Sequence, residues 1–380
     1  MGHRRRFLNF VVRNCKSGVY SLRRLDLSRQ RLFYPTTPPN ADLKSLVLEE
    51  MESIRLPAPS IRFQPNPAPP ACIDLTRKVH CFGLSESKII CTDNAGLSFL
   101  YDAGLRAFVT MPSLHAPKRV PISFALPDDD PDQANGGDSS LYLMEQVPYP
   151  HYEQKGLFEA FVYTTSNTLS SRHRKSWHRH SLPPPPFVLD PGFDGAQIDS
   201  HAVLGGGSHL CVSGRDIGTY CFDTASREWS RAGDWTLPFF DKAEHVPELG
   251  LWFGLSEKDL HPCVSDLSSV LGGRKPTLRN VWRSEYPREW NPMGIVKLAG
   301  LGSGRFCILE YFETFLEHAD LYGEPVADQI FGVCTGVEVV LAADRGDGVS
   351  GRGKQAVRMV NHMSKLIQLP PGFTTIDAML

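Results

Sequence analysis

Short apolar runs alternate with polar, turn-forming breaks along most of the chain, a pattern that predicts strands rather than helices. Two stretches share one layout: Leu97-SFLYDAGLRAFVTMP and Ile217-GTYCFDTASREWSRAGDWTLP each carry an apolar strand ending in aromatic-Asp, a short turn, and an aromatic six positions after the Asp. Tyr101, Asp102 and Phe108 thus correspond to Phe222, Asp223 and Trp229. An Asp that opens a turn accepts hydrogen bonds from the backbone just after it, and the later aromatic is placed to pack between sheets.

Weaker copies fill the rest. Val19-YSLRRLDLSRQRLFYP sets Asp26 before Phe33, Leu141-YLMEQ leads through Phe158-EAFVY to Trp177, and Leu251-WFGLSEKDLHPCVSDL leads to Trp282. A last unit spans Val296-KLAGLGSGRFCILEYFET, Phe331-GVCTGVEVVLA and Ala356-VRMV. The units repeat about every 50 residues, nearer a kelch repeat than the shorter WD40 repeat. The expectation is an all-β fold: a kelch-like β-propeller of about six four-stranded antiparallel blades in one domain over residues 1–380, with blades beginning near residues 7, 72, 122, 198, 243 and 295. Tyr101, Phe108, Tyr220, Trp229 and Trp252 are expected to be buried as blade-packing aromatics. The Arg-rich N-terminal strands are expected to close the ring beside the last blade, near Val357 to Ile367. The string Phe-Gly-Leu-Ser-Glu occurs at both 82–86 and 253–257, but its surroundings differ, so the copies belong to different strands of their blades.

Two inserts break the pattern. Residues 35–71 are rich in Pro and Ala around a short candidate helix from Asp42, whose Leu43, Leu46, Val47, Met51 and Ile54 recur at helical spacing. Residues 127–140 are acidic and turn-forming, without an apolar face, and are expected to be a flexible loop.

Composition agrees with a folded chain: 41% of the 380 residues are hydrophobic and 22% charged, while 32 Gly and 30 Pro supply breaks for many short strands. Forty basic against 42 acidic residues leave no global basic field, so neither nucleic acid nor an anionic membrane is signalled as a partner. No apolar run is long enough for a membrane-spanning helix. Nine cysteines, mostly inside apolar runs and never as a CxxC pair, read as buried free thiols in a reducing compartment. The N-terminus superficially resembles an organelle transit peptide, but Phe7-LNFVV and Val19-YSLRRLDL read as strands. A cytoplasmic or nuclear location is therefore expected, with organelle import the alternative.

Candidate chemistry is sparse. Gly346-DGVSGRGK satisfies GxGxxG and nearly satisfies a P-loop. However, Gln355 stands where a Ser or Thr must bind Mg²⁺, Asp344 and Asp347 would repel phosphate, and a strand follows where a helix is required, so it reads as a hairpin loop. Arg172-HRKSWHRH is the densest cationic stretch. Its three His have no Cys or placed acid nearby to make a zinc site, so it reads as a solvated basic loop, with Arg172, Arg174, Lys175 and Arg179 as candidate contacts to an acidic partner the alternative. The Pro183–Pro186 run ends a blade unit, as other Pro-containing segments do, and reads as a rigid inter-blade connection. No GxSxG or HExxH occurs, and no catalytic, cofactor or metal residue is assigned.

Arg5-RFLNFVV, Gly18-VYSLRRLD, Phe33-YPTTPP, Gly218-TYCFDT, Gly233-DWTLPF, Val246-PELGLWFGLS and Gly302-SGRFCILEYFET, with Ser181-LPPPPFV between them, resemble a large group of uncharacterised kelch-like proteins abundant in grasses. The resemblance covers nearly the whole chain and implies a plant origin and a propeller-like fold, but no activity. Plant kelch propellers often follow an F-box, for which the few residues before Phe7 leave no room. The function expected is a non-enzymatic, monomeric protein-interaction platform of unknown partner. The alternative is a propeller enzyme of hydrolase or cyclase type whose active site is assembled from loops at the channel mouth, which three or more titratable groups converging there would favour.

Overall fold

The computed structural model describes residues 4–37, 48–65, 78–126, 139–149, 156–165, 175–319, 325–342, 356–367 and 374–380. Among these the regular structure is strand and short 3-10 turns. Strands β1 (Phe7–Asn14) and β2 (Val19–Asp26) form a hairpin, β3 (Ser53–Ile54) leaves it, and β4 (Ile61–Phe63) returns to pair with β2. Blade 2 is β5 (Val79–Gly83), β6 (Lys88–Asp93), β7 (Ser98–Asp102) and β8 (Ala107–Thr110), in that order from the channel outward. Blade 3 follows with β9 (Pro121–Leu126), β10 (Ser140–Glu145), β11 (Phe158–Thr165) and β12 (Lys175–Ser181). Blade 4 holds β13 (Ser200–Leu204), β14 (His209–Gly214), β15 (Gly218–Asp223) and β16 (Glu228–Gly233). Blade 5 holds β17 (Phe239–Val246), β18 (Leu251–Ser256), β19 (Pro262–Ser265) and β20 (Leu278–Val281). Blade 6 is β21 (Asn291–Gly302), β22 (Arg305–Ala319), β23 (Pro325–Leu341) and β24 (Val357–Ile367), edged by β3. The last strand, β25 (Thr374–Met379), goes back to blade 1.

The repeat's turn chemistry is present as expected. Asp102 Oδ1 accepts from the N–H groups of Gly104 and Leu105 at 2.9 and 3.0 Å, and Asp223 Oδ1 from those of Ala225 and Ser226 at 2.8 and 3.1 Å. Four positions after each Asp, Arg106 and Arg227 take left-handed backbone (φ 53° and 60°), so the two hairpins turn alike.

Hydrophobic packing closes the ring. One buried cluster sits at each of the six blade–blade interfaces, including blade 6 against blade 1, where Leu8 and Phe10 meet Ala299 and Leu301. Between blades 5 and 6, the rings of Phe253 and Phe306 stack with centroids 4.1 Å apart. The ring is closed differently from the sequence expectation. The N-terminal segment does lie beside blade 6, with the Arg5 N–H donating to the Leu301 carbonyl at 2.9 Å, but it supplies only the three outer strands of blade 1. The inner position is taken by β25, which pairs antiparallel with β1 and buries Ile376 and Met379.

Blades 4 and 5 are joined into one sheet. The β17–β18 register slips between Phe240 and Glu244, and the backbone freed by this bulge pairs in parallel with β13: Ser200 with Asp241, His201 with Lys242, Ala202 with Ala243. Asp241, at φ 58°, makes the turn this requires.

Tyr101, Tyr220 and Trp252 are buried as expected, whereas Phe108 is 60% exposed and Trp229 half-buried. Both misplaced aromatics lie on outermost strands, where only one face has a neighbour. Phe108 rests on Tyr101 (5.2 Å between centroids), and Trp229 caps Phe158 of the preceding blade (5.6 Å) while its Nε1 donates to the Pro183 carbonyl at 2.9 Å. The proline run thus tethers blade 3 to blade 4, with Phe187 and Val188 buried between them. The repeated Phe-Gly-Leu-Ser string starts on inner strand β5 in one copy and on second strand β18 in the other.

Of the candidate helix from Asp42, the described part holds a 3-10 turn at Leu48–Glu50 and β3, which pairs in parallel with β24. The rest of that segment, the acidic loop up to residue 138, the Gly-rich loop 343–355 and Cys72 lie outside the described residues. Seven of the eight described cysteines are buried free thiols, Cys15 being the exposed one. No described helix is long and apolar enough to cross a membrane.

Candidate functional site

The inner strands β25, β5, β9, β13, β17 and β21 surround a central channel, whose cavity measures about 800 Å³, within the range of small-ligand sites. Because side chains alternate along a strand, each inner strand sends every second residue toward this space. The result is a charged wall: Arg5, Arg13, Lys78, Lys242 and Lys297 face Asp241, Glu244 and Asp377, with His80 and His201 among them.

Much of this charge is already paired. Arg13 Nε lies 3.3 Å from Asp377, and Lys242 Nζ donates to Glu244 at 3.1 Å. Burial works against an ionised Glu244, but Lys242 and Arg5 outweigh it and hold the carboxyl below its ordinary range. Lys297 is different. It forms no ion pair among the described residues, and burial lowers its pKa even though Asp377 and Asp241 pull the other way.

His201 is 4% exposed, with its ring edge-on to Phe124 at 5.1 Å. Its Nδ1 has no hydrogen-bond partner and stands 3.6 Å from Asp241, too far for a hydrogen bond. Burial lowers its pKa to about 4, overriding the carboxylate. His80 is also lowered to about 4, by burial and then by Lys78. Both imidazoles are therefore neutral at physiological pH. No group of three or more His, Cys, Asp or Glu among the described residues could hold a metal ion.

A second cavity, of about 510 Å³, opens where β1 begins and β21 ends, and Arg5 lies on the wall of both cavities. Four more arginines, Arg4, Arg6, Arg31 and Arg305, line it against Leu27, Phe33 and Leu301. Arg6 is held by Asp26 at 2.7 Å and Arg305 by Glu338 at 2.9 Å.

A family model described as a protein of unknown function (DUF1668) matches residues 5–367, which include every strand except β25. The chain belongs to the DUF1668 family. None of the curated proteins matches it. Among solved structures it is similar to Kluyveromyces lactis Hsv2, 10% identical over 86% of this chain and 83% of that one with a TM-score of 0.30, a likeness too loose to carry an argument.

In this DUF1668 member the two described residues of the sequence-predicted contact, Lys175 and Arg179, line neither cavity. Arg172 and Arg174 lie outside the described residues. Lys175 and Arg179 stand on β12, the outer edge of blade 3, where Arg179 Nη1 donates to the Ser113 carbonyl and ties the strand to the preceding connection. The channel charges were missed because they come from segments of five blades far apart in the sequence and meet only when the ring is assembled. For the arginine cavity there was a signal, the Arg4–Arg6 run, which the sequence alone marks as part of an Arg-rich, strand-forming or targeting N-terminus and not as a site.

Proposed function

We infer that the protein is a non-enzymatic interaction platform, a kelch-like propeller of a plant-type lineage that works as a monomer inside the cell and recognises a protein partner. The fixed charge states of the channel carry this reading. His80 and His201 stay neutral far above their pKa of about 4 and Glu244 stays ionised, whereas acid–base catalysis works best with a group poised near the working pH. Groups locked in one protonation state suit recognition, and the loops of six blades give a partner a broad face to meet.

One observation favours the enzyme reading of hydrolase or cyclase type: titratable groups from five blades converge on one cavity, with His201 beside Asp241. The purified full chain, assayed against panels of ester, phosphate-ester and cyclisable substrates, separates the two. The platform reading expects no turnover above buffer and a stoichiometric protein complex in affinity purification. Turnover abolished by His201→Gln at unchanged melting would establish the enzyme instead. Replacing Arg172, Arg174, Lys175 and Arg179 together by Gln tests that stretch as a partner contact, through loss of the complex at low salt without loss of fold.

A further inference from the structure

We propose that the arginine cavity between blades 1 and 6 is a binding site for a phosphate monoester. Five guanidinium groups from three chain segments, residues 4–6, Arg31 and Arg305, line a single space of about 510 Å³. Like charges repel, so an anion placed among them is attracted by several guanidinium groups at once. The described residues provide few such anions. Asp26 engages Arg6, Glu338 engages Arg305, and Glu86 is taken up by the backbone N–H groups of Arg6 and Phe7 at 2.5 and 2.6 Å. Arg4 and Arg31 have no ion pair among the described residues, and Arg5 has only the longer-range attraction of Glu244 in the channel. In a chain of formal net charge −2, this is a local excess of positive charge, not a reflection of a basic protein.

The arrangement is also built rather than merely crowded. Arg5 is fixed through its N–H to Leu301, and the Arg305 guanidinium is held between Glu338 and the Phe33 ring, 4.9 Å from the ring centroid. Glu338 in turn accepts from Thr37 at 2.7 Å and lies 3.1 Å from His362, which sets the residue 33–37 segment as the outer wall of the cavity. A planar carboxylate is satisfied by one guanidinium fork, whereas the three terminal oxygens of a phosphate accept from several forks arriving from different sides. Leu27, Phe33 and Leu301 leave an apolar flank for the group that carries the phosphate, which points to an ester rather than free phosphate. The inference does not depend on the platform reading, since such a site serves a partner and a substrate alike.

The test is calorimetric titration of the full chain, at constant ionic strength, with O-phosphoserine, a phosphoserine peptide, the unphosphorylated peptide and acetate. The wild type is expected to bind both phosphorylated probes and neither of the others. Arg4→Gln with Arg31→Gln, two exposed positions, should weaken binding by about tenfold or more at unchanged melting. Arg29→Gln, 85% exposed and outside the cavity, should leave binding within about twofold. A peptide held about tenfold tighter than O-phosphoserine would assign the phosphate to a polypeptide, and equal affinity would assign it to a small ester; both sustain the site. No binding of either phosphorylated probe, equal binding of acetate, or a double variant indistinguishable from wild type would overturn it.

Discussion

His201 shows at the residue scale how position, not residue type, sets behaviour. In the sequence it is one of 13 His, in a strand with no motif around it. In the fold it is sealed between Phe124 and β17, and its pKa falls from the ordinary 6.5 to about 4. Because the unfolded chain takes the proton first, this residue's contribution is complete above pH 6.5 and is lost as pH falls toward 4, by about 3 kcal/mol at most. Urea midpoints measured across that window should decline in the wild type and decline less in His201→Gln; parallel profiles would show that His201 is not the buried group. Carboxylates that are depressed in the fold, such as Glu338 beside Arg305, add their own loss only below their ordinary range near 4.5.

Pairing of neighbouring strands, at the element scale, explains the cysteines. Cys81 faces Cys91 across β5–β6 and Cys211 faces Cys221 across β14–β15, with sulfurs 3.2 and 3.3 Å apart, and Cys307 lies 2.9 Å from Cys334 on β22–β23. The sequence predicted buried free thiols, but pairing depends on register and could not be read from spacing. Burial and the neighbouring sulfur raise the pKa of Cys81, Cys211 and Cys307, and burial alone takes Cys263 to about 12. Thiolate is the reactive form, so these groups should be slow to label in the native protein. With a thiol reagent at pH 8 followed by peptide mapping, Cys15 should label promptly and the other seven described cysteines only after denaturant; prompt labelling of Cys211 or Cys307 would contradict this packing. The same scale accounts for Phe108. The repeat correctly aligned it with Trp229, yet a repeat does not say which strand is outermost, and an edge aromatic has only one packed face.

For the whole molecule, closure rests on a strand that belongs to blade 1 in space and to the far end of the chain in sequence. Without β25, the buried faces of Leu8, Phe10 and Val12 in β1 lose their inner neighbour, and the edges of a sheet meant to be closed are exposed. Ending the chain at Ile367 should therefore abolish the single cooperative urea transition and produce binding of an apolar dye. A truncated chain that still unfolds in one transition of wild-type midpoint would show that β25 is dispensable for closure.

What the sequence determined by itself is the local layer: short strands, Asp-started turns, about six repeats, buried thiols, and a chain without a broad basic face. Those features follow from interactions among residues close in sequence, which leave a period that can be read. Tertiary structure decided what depends on distant residues meeting: the inner strand of blade 1, the parallel joint between β13 and β17, the neutral His201, and the placing of Arg31 and Arg305 beside Arg4–Arg6. Each of these joins segments widely separated along the chain, and the energetics that make them matter, desolvation of a ring or repulsion among guanidinium groups, arise only when the ring of blades brings them together.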